Sequence, residues 1–277
     1  MWILWTVLGI FAFVLLLTAF WVFALLHMRE GMPVMRELDK TVFAHRGLHD
    51  EQKPENSMAA FAAAADKGFG IEFDLHLTRD GRLVVMHDAT TRRLCGQELK
   101  INDSTLEELR ALRLPDGSQI PTFEEFLALI DGRVPLLIEL KNDGSNAVPL
   151  CAAAMDLLKD YKGKYIVESF DPRVVYRLKK AYPDVVRGQL SQDFFKNKDA
   201  PWYMRPLLAS MVGNLWTKPD FIAYNVKHRD SLPLKLLNAA NRKICFWTVR
   251  DTEEFERCVK DRQNPIFEKI LPYRTEM

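Results

Sequence analysis

The chain opens on an unbroken apolar run. No charged residue interrupts Trp2 to Leu26, and about twenty apolar residues suffice for a helix to cross a bilayer. Trp2, Trp5 and Trp21 lie towards the ends of the run, where interfacial aromatic side chains belong. A cleaved leader would carry basic residues, then a shorter apolar core and a small-x-small cleavage site. Nothing basic precedes Trp2. The pattern predicts a retained transmembrane anchor over residues 1–28 and a short juxtamembrane linker over 29–40 that contains Pro33. Arg29, Arg36 and Lys40 follow the helix, so the positive-inside rule predicts a single-pass protein of the cell membrane with the rest of the chain facing the cytoplasm.

Beyond the linker, short apolar runs alternate with helical patterns. The runs Thr41–His45, Gly70–His76, Leu83–His87, Val134–Lys141, Tyr165–Phe170, Val185–Leu190, Phe221–Tyr224 and Ile244–Thr248 read as strands. Helices are expected near Ser57–Lys67, Leu106–Leu112, Phe123–Ile130, Ala147–Asp160, Pro172–Ala181, Leu232–Ala240 and Thr252–Lys260. Several have capping residues, among them Ser57 or Asn56, Asp171-Pro172 and Asp251. Strand–helix alternation predicts an α/β fold with a parallel sheet. Three stretches break the rhythm. Residues 89–120 lack the alternation. Residues 191–220 are long for a connection and carry Leu208, Met211, Val212 and Leu215 at helical spacing, flanked by Trp202, Tyr203 and Trp216. They read either as a helix packing its apolar face inward or as one resting on the bilayer beside the anchor. Asn264–Ile270 contains Pro265, which cannot donate to a ladder, so a strand there is expected to be short or frayed; Leu271–Met277 reads as a tail.

The totals narrow the picture. A length of 277 residues suits one barrel-sized domain plus an appendage. A net charge of +1 argues against nucleic acid as a partner. Cys95, Cys151, Cys245 and Cys258 are scattered and form no C-x-x-C pair, which suggests free thiols in a reducing compartment.

The candidate chemistry centres on Ile71-Glu72-Phe73-Asp74-Leu75-His76. Alternate side chains of a strand share a face, so Glu72, Asp74 and His76 point the same way. Such a face is either a wet surface or a site for a divalent cation, because adjacent carboxylates repel without a counter-charge. Two more polar clusters end neighbouring apolar runs: His45-Arg46-Gly47 and His87-Asp88. Strand ends are where a β/α fold carries its chemistry.

In order and spacing, His45-Arg46-Gly47, Pro54-Glu55-Asn56-Ser57, Glu72-x-Asp74, Thr78-x-Asp80-Gly81 and Val85-x-His87-Asp88 resemble the glycerophosphodiester phosphodiesterase family. Ile120-Pro121-Thr122 with Glu125, Ile138-Glu139-Leu140-Lys141, Glu168-Ser169-Phe170-Asp171 and Phe246-Trp247-Thr248-Val249 extend the resemblance over roughly residues 41 to 250. It implies a TIM (β/α)8 barrel over 41–277, with 89–120 as the family's small insertion. It also implies that Glu72, Asp74 and Glu139 bind one divalent cation. Three carboxylates at one barrel mouth need a counter-charge to stay ionised together, and oxygen-only ligation favours Mg2+ or Ca2+. Arg46 and Lys141 would neutralise the phosphodiester, and His45 and His87 would act as the acid–base pair, one on each side of the phosphorus. Glu55 is expected at the substrate or bracing Arg46, Trp247 as a wall of the glycerol pocket, and His76 as support. His27, His49 and His228 receive no role. One departure stands out: the family ends on a strand resembling D-G-I-I-T-D, where this chain has Asn264–Ile270.

The expected activity is metal-dependent hydrolysis of glycerophosphodiesters to an alcohol and sn-glycerol 3-phosphate. The alternatives are a lysophospholipase D-type hydrolase acting on lysolipids at the membrane, and a non-catalytic binding barrel. The expected partners are the glycerophosphodiester or lysolipid substrate and the lipid bilayer.

Overall fold

The computed structural model describes residues 1–39 and 41–272. Eight parallel strands close into a ring: β1 (Phe43–His45), β2 (Gly70–Leu77), β4 (Leu136–Leu140), β5 (Tyr165–Ser169), β6 (Arg187–Ser191), β7 (Phe221–Asn225), β8 (Ile244–Val249) and β9 (Asn264–Phe267), with β9 returning to β1. Helices cover the outside, and the architecture is a TIM barrel.

Two strands differ from the sequence reading. The run predicted as Leu83–His87 is not a member of the parallel ring. As β3 (Leu83–Val85) it folds back antiparallel on β2, with Leu75 opposite Val85. Only residues 78–82 separate β2 from β3, which is enough for a hairpin but too short for the crossover of about a dozen residues that a parallel neighbour requires. The ring is completed instead by β9, at the site expected to be frayed. It is short: Ile266 and Phe267 pair with β1, and Pro265 lies opposite Phe246. The Asn264 amide donates to the carbonyls of Leu38 (2.6 Å) and Thr41 (2.8 Å), fixing the strand's start where the ladder is weak.

Strand alternation decides what faces inward. Ile71, Phe73 and Leu75 of β2 join Ile138 and Leu140 of β4 in the apolar layer under the helices. That leaves Glu72, Asp74 and His76, with Glu139, on the inner side. Phe43, Leu137, Ile166, Val186, Phe221 and Ile266 fill the barrel interior. Gly188 makes room in this layer, because a Cβ there would lie 2.2 Å from the Phe221 ring. Residues 89–120 form short helical pieces around their own cluster, which includes Met86, Ile101, Leu109 and Ile120.

The N-terminal helix, Trp2–Leu26, is long and apolar enough to cross a membrane, and nearly all of it is exposed. Its last turns dock on the barrel. The Trp21 indole donates to Ser210 O (3.0 Å), the buried Asn214 amide donates to Leu25 O (2.8 Å), and Arg29 forks onto Asp220 (2.5 and 2.6 Å). The segment read as a linker is also folded. Helix Pro33–Glu37 turns Met35, and the residue after it Leu38, against Phe43 and Phe221, plugging the floor of the barrel. Residues 191–220 hold two short helices, Arg205–Ser210 and Asn214–Thr217, rather than the single helix their spacing suggests. Met211 breaks them apart with a left-handed φ of 52°. Lys40 and residues 273–277 of the predicted tail lie outside the described residues.

Candidate active site

The register of the ring assembles the polar residues. His45 lies beside Glu72, Asp74 beside Glu139, and Glu139 beside Glu168. After His45 the chain turns sharply, with Arg46 and Gly47 both at positive φ. Only glycine fits at position 47, where a Cβ would come within 2.8 Å of the Ala60 backbone in helix Met58–Asp66. The same turn aims the Arg46 backbone N–H at Glu72 (3.1 Å).

Glu72, Asp74 and Glu139 are buried, and each offers an oxygen within 4.8 Å of the others. Their electrostatics differ. Burial holds the Glu72 carboxyl well above the usual carboxylate range, with Asp74 and Glu139 adding to the effect. Burial likewise pushes Glu139 up to about 7, against the opposing pull of Lys141. Burial also acts to raise Asp74, but Lys141, His87 and Arg46, with a hydrogen bond from Asn56 (2.9 Å), outweigh it and hold that group well below its ordinary value. Lys141 Nζ lies 2.7 Å from Glu139 and 3.0 Å from Asp74. One ammonium therefore faces three converging carboxyls, two of them reluctant to ionise, and such a donor set fits a hard divalent cation.

The two histidines share one design. His45 Nδ1 is 2.9 Å from Glu268, and His87 Nδ1 is 2.7 Å from Asp88. Each carboxylate fixes its ring and leaves Nε2 for other partners. Burial lowers the His45 pKa to about 4 despite the opposing Glu268 bond, and burial lowers that of His87 as well. Glu268 itself stays ionised: burial works against it, but the bond to His45 and the Arg250 guanidinium (3.1 Å) prevail. His76 sits behind, with Nδ1 2.7 Å from Asp143 and Nε2 3.2 Å from His87 O, so it braces the segment that carries His87.

A cleft of about 290 Å³ opens at the C-terminal ends of the strands, lined by His45, Arg46, Glu72, His87, Glu139 and Trp247 among others. Trp247 packs edge-on against Phe170, ring centroids 5.5 Å apart. Asp74 and Lys141 stand behind this lining. Glu55 does not line the cleft; its carboxylate pairs with Arg46 (2.7 Å) and with Arg93 (2.6 Å), which also grips Asp88. Arg46 is thereby tied into the same network as His87.

Sequence reading missed several cleft residues: Glu168, Asn225, Lys227 and Arg250, together with Glu268 behind His45. Glu168 is buried, has an oxygen without a hydrogen-bond partner, and is pushed well up by burial and by Glu72 and Glu139. The available signal was positional. Each follows or ends an apolar run, as His45 does, and Glu268 stands near the acidic residue that closes the family's terminal strand.

The model of the glycerophosphoryl diester phosphodiesterase family matches residues 45–267. A glycerophosphodiester phosphodiesterase of Caldanaerobacter subterraneus subsp. tengcongensis is 34% identical over 233 residues, covering 79% of this chain and 89% of the relative. A putative glycerophosphodiester phosphodiesterase of Bacillus subtilis is 34% identical, covering 76% and 86%. Among solved structures, a glycerophosphodiester phosphodiesterase from Parabacteroides distasonis superposes with a TM-score of 0.65 at 25% identity, over 82% of this chain and 92% of that one. An Oleispira antarctica phosphodiesterase, solved in complex with sn-glycerol-3-phosphate, shares the fold with a TM-score of 0.69 at 22% identity, over 82% and 92%. The chain belongs to the glycerophosphoryl diester phosphodiesterase family.

Proposed function

We propose that this protein hydrolyses glycerophosphodiesters to an alcohol and sn-glycerol 3-phosphate, using His45 and His87 for proton transfer and one divalent cation held by Glu72, Asp74 and Glu139. The observation that carries this reading is the convergence of both carboxylate-anchored imidazoles with Glu72 and Glu139 on one cleft, Asp74 standing directly behind and within reach of both carboxyls. A non-catalytic barrel would have no need to orient two histidines in this way.

When bound, Mg2+ or Ca2+ supplies positive charge to offset the negative charge that builds on the phosphoryl oxygens. The protein's own residues do the rest. Arg46, held by Glu55, faces the cleft and suits forked contact with phosphate oxygens. Lys141 holds Asp74 ionised and bridges it to Glu139, where it opposes the effect of burial. Trp247 forms an apolar wall for the glycerol backbone. Attack on phosphorus requires the nucleophile to lose a proton and the leaving alkoxide to gain one. Neutral His45, with Nδ1 on Glu268, presents Nε2 as an acceptor. His87, half-exposed and set on Asp88, serves the other side.

The N-terminal helix, read as a retained anchor with its C-terminal flank in the cytoplasm, would keep the enzyme at the bilayer. Its bonds to Ser210 and Asn214 support retention, since a removed leader has no use for them. The deciding experiment is hydrolysis of glycerophosphocholine and glycerophosphoethanolamine by chelator-stripped protein, with and without added Mg2+ or Ca2+. Turnover that requires the cation and disappears in His45→Ala supports the proposal. Cation-independent turnover would refute the metal role.

A further inference from the structure

Two buried polar atoms in the catalytic cleft have no protein partner, and the chemistry described above uses neither. One is Oε2 of Glu168, a side chain only 1% exposed. The other is the indole Nε1 of Trp247. Both residues line the cleft that holds His45 and Arg46. A buried polar group without a hydrogen bond is costly, and each calls for a partner of the opposite kind.

The barrel itself supplies none. Glu168 points inward from β5 between two register neighbours, Glu139 and Gly188. Glu139 is already paired with Lys141 at 2.7 Å, and Gly188 has no side chain. The interior below is apolar, with Ile166 and Phe221. Glu168 also stands outside the cation cluster, since Glu72, Asp74 and Glu139 bring oxygens within 4.8 Å of one another without it. Trp247 leans edge-on against Phe170, ring centroids 5.5 Å apart, a contact that leaves its N–H uncommitted.

A carboxyl accepts hydrogen bonds, whereas an indole N–H only donates. A ligand that answers both must donate and accept, as an alcohol does. Phe170 and Leu190 add apolar surface on this side of the cleft, which suits the C–H faces of a short carbon chain. A choline head group carries no O–H or N–H and satisfies neither atom. We infer, resting on the function proposed above, that Glu168 and Trp247 bind the free hydroxyls of the glycerol unit, the carboxyl accepting and the indole N–H donating. Together they set the specificity of the cleft for glycerol esters. A site built to bond hydroxyls rejects an analogue that lacks them, because its own buried groups are then left unpaired.

The test compares sn-glycerol 3-phosphate with propyl phosphate, which differ only in two hydroxyls. Binding is measured by calorimetry on the full-length protein in detergent with saturating Mg2+ or Ca2+. The wild type should hold glycerol 3-phosphate about thirtyfold tighter, as two hydrogen-bonded groups would give. Glu168→Leu removes the acceptor and should lower that ratio about tenfold. Trp247→Phe removes the N–H but keeps an aromatic wall, and should lower it about threefold. Glu168→Gln retains an acceptor oxygen and should keep most of the ratio. A purely structural role would weaken both ligands together and leave the ratio where it was, while propyl phosphate binding reports that each variant is folded. The inference is overturned if the wild type binds the two ligands equally, or if either Glu168→Leu or Trp247→Phe leaves the ratio unmoved. Loss of the cation from Glu168→Leu in a metal titration would overturn it too, by making Glu168 a ligand. Binding is read without turnover, so a wild type that shows the ratio but fails to hydrolyse glycerophosphocholine would bring down the proposed reaction alone.

Discussion

Replacing Glu268 with Gln tests the proposal that His45 is a proton acceptor held in place by that carboxylate. The carboxylate lies 2.9 Å from Nδ1 and is steadied by Arg250 at 3.1 Å, while its own backbone N–H is bonded to Val249 O at 2.9 Å. Gln preserves the shape and the backbone bond but removes the charge. Hydrogen bonds to charged groups contribute about 1.5–3 kcal/mol, which translates into roughly a 10- to 150-fold loss in kcat. KM should move little, because Glu268 lies behind the imidazole. The pH profile has a fixed sign. Burial lowers the His45 pKa to about 4, and Glu268 is the main influence opposing it. Without that charge the imidazole gives up its proton more readily, so the acid limb of kcat/KM shifts to lower pH. The assay is glycerophosphocholine hydrolysis at saturating cation from about two pH units below the His45 pKa up to pH 9, with Glu268→Asp as the conservative variant expected to recover part of the rate. Unchanged kcat, or an acid limb moving to higher pH, would refute the positioning role.

Other outcomes follow from the same geometry. His87→Ala should reduce kcat by about a hundredfold or more, measured at saturating substrate, if it is an acid–base group. In chelator, Glu139 titrates at about 7 in the folded chain against 4.5 when unfolded, so its contribution to stability falls as pH rises through that window, on the order of 3 kcal/mol in full. His45 titrates in the opposite sense between about 4 and 6.5. The quantity to read by chemical denaturation is therefore the difference between wild type and Glu139→Gln, which added Mg2+ or Ca2+ should flatten. Equal pH slopes for the two proteins in chelator would refute the assignment. Gly188→Ala should destabilise the barrel by about 1–3 kcal/mol, because its methyl would press on the Phe221 ring; an unchanged melting temperature would contradict that packing.

Much of the site was legible because local periodicity encodes it. Glu72, Asp74 and His76 alternate along one strand, and their inward face follows from period two alone. His45 and His87 were readable as polar residues ending apolar runs. What escaped depends on distant pairing. Glu268 meets His45 across 223 residues, and Trp21 meets Ser210 across 189, and nothing local marks either contact. The run at Leu83 looked like its neighbours, and only the shortness of the loop before it turned it into a hairpin. Pro265 correctly marked β9 as short, but the side-chain bonds from Asn264 that secure it have no periodic signature.

Because the final strand both seals the barrel and delivers Glu268, a chain that has not yet locked its ends together lacks an oriented His45. Phosphodiester hydrolysis would therefore switch on only as the last seam zips shut. A half-folded copy, with substrate within reach, would stay silent until its ring is whole.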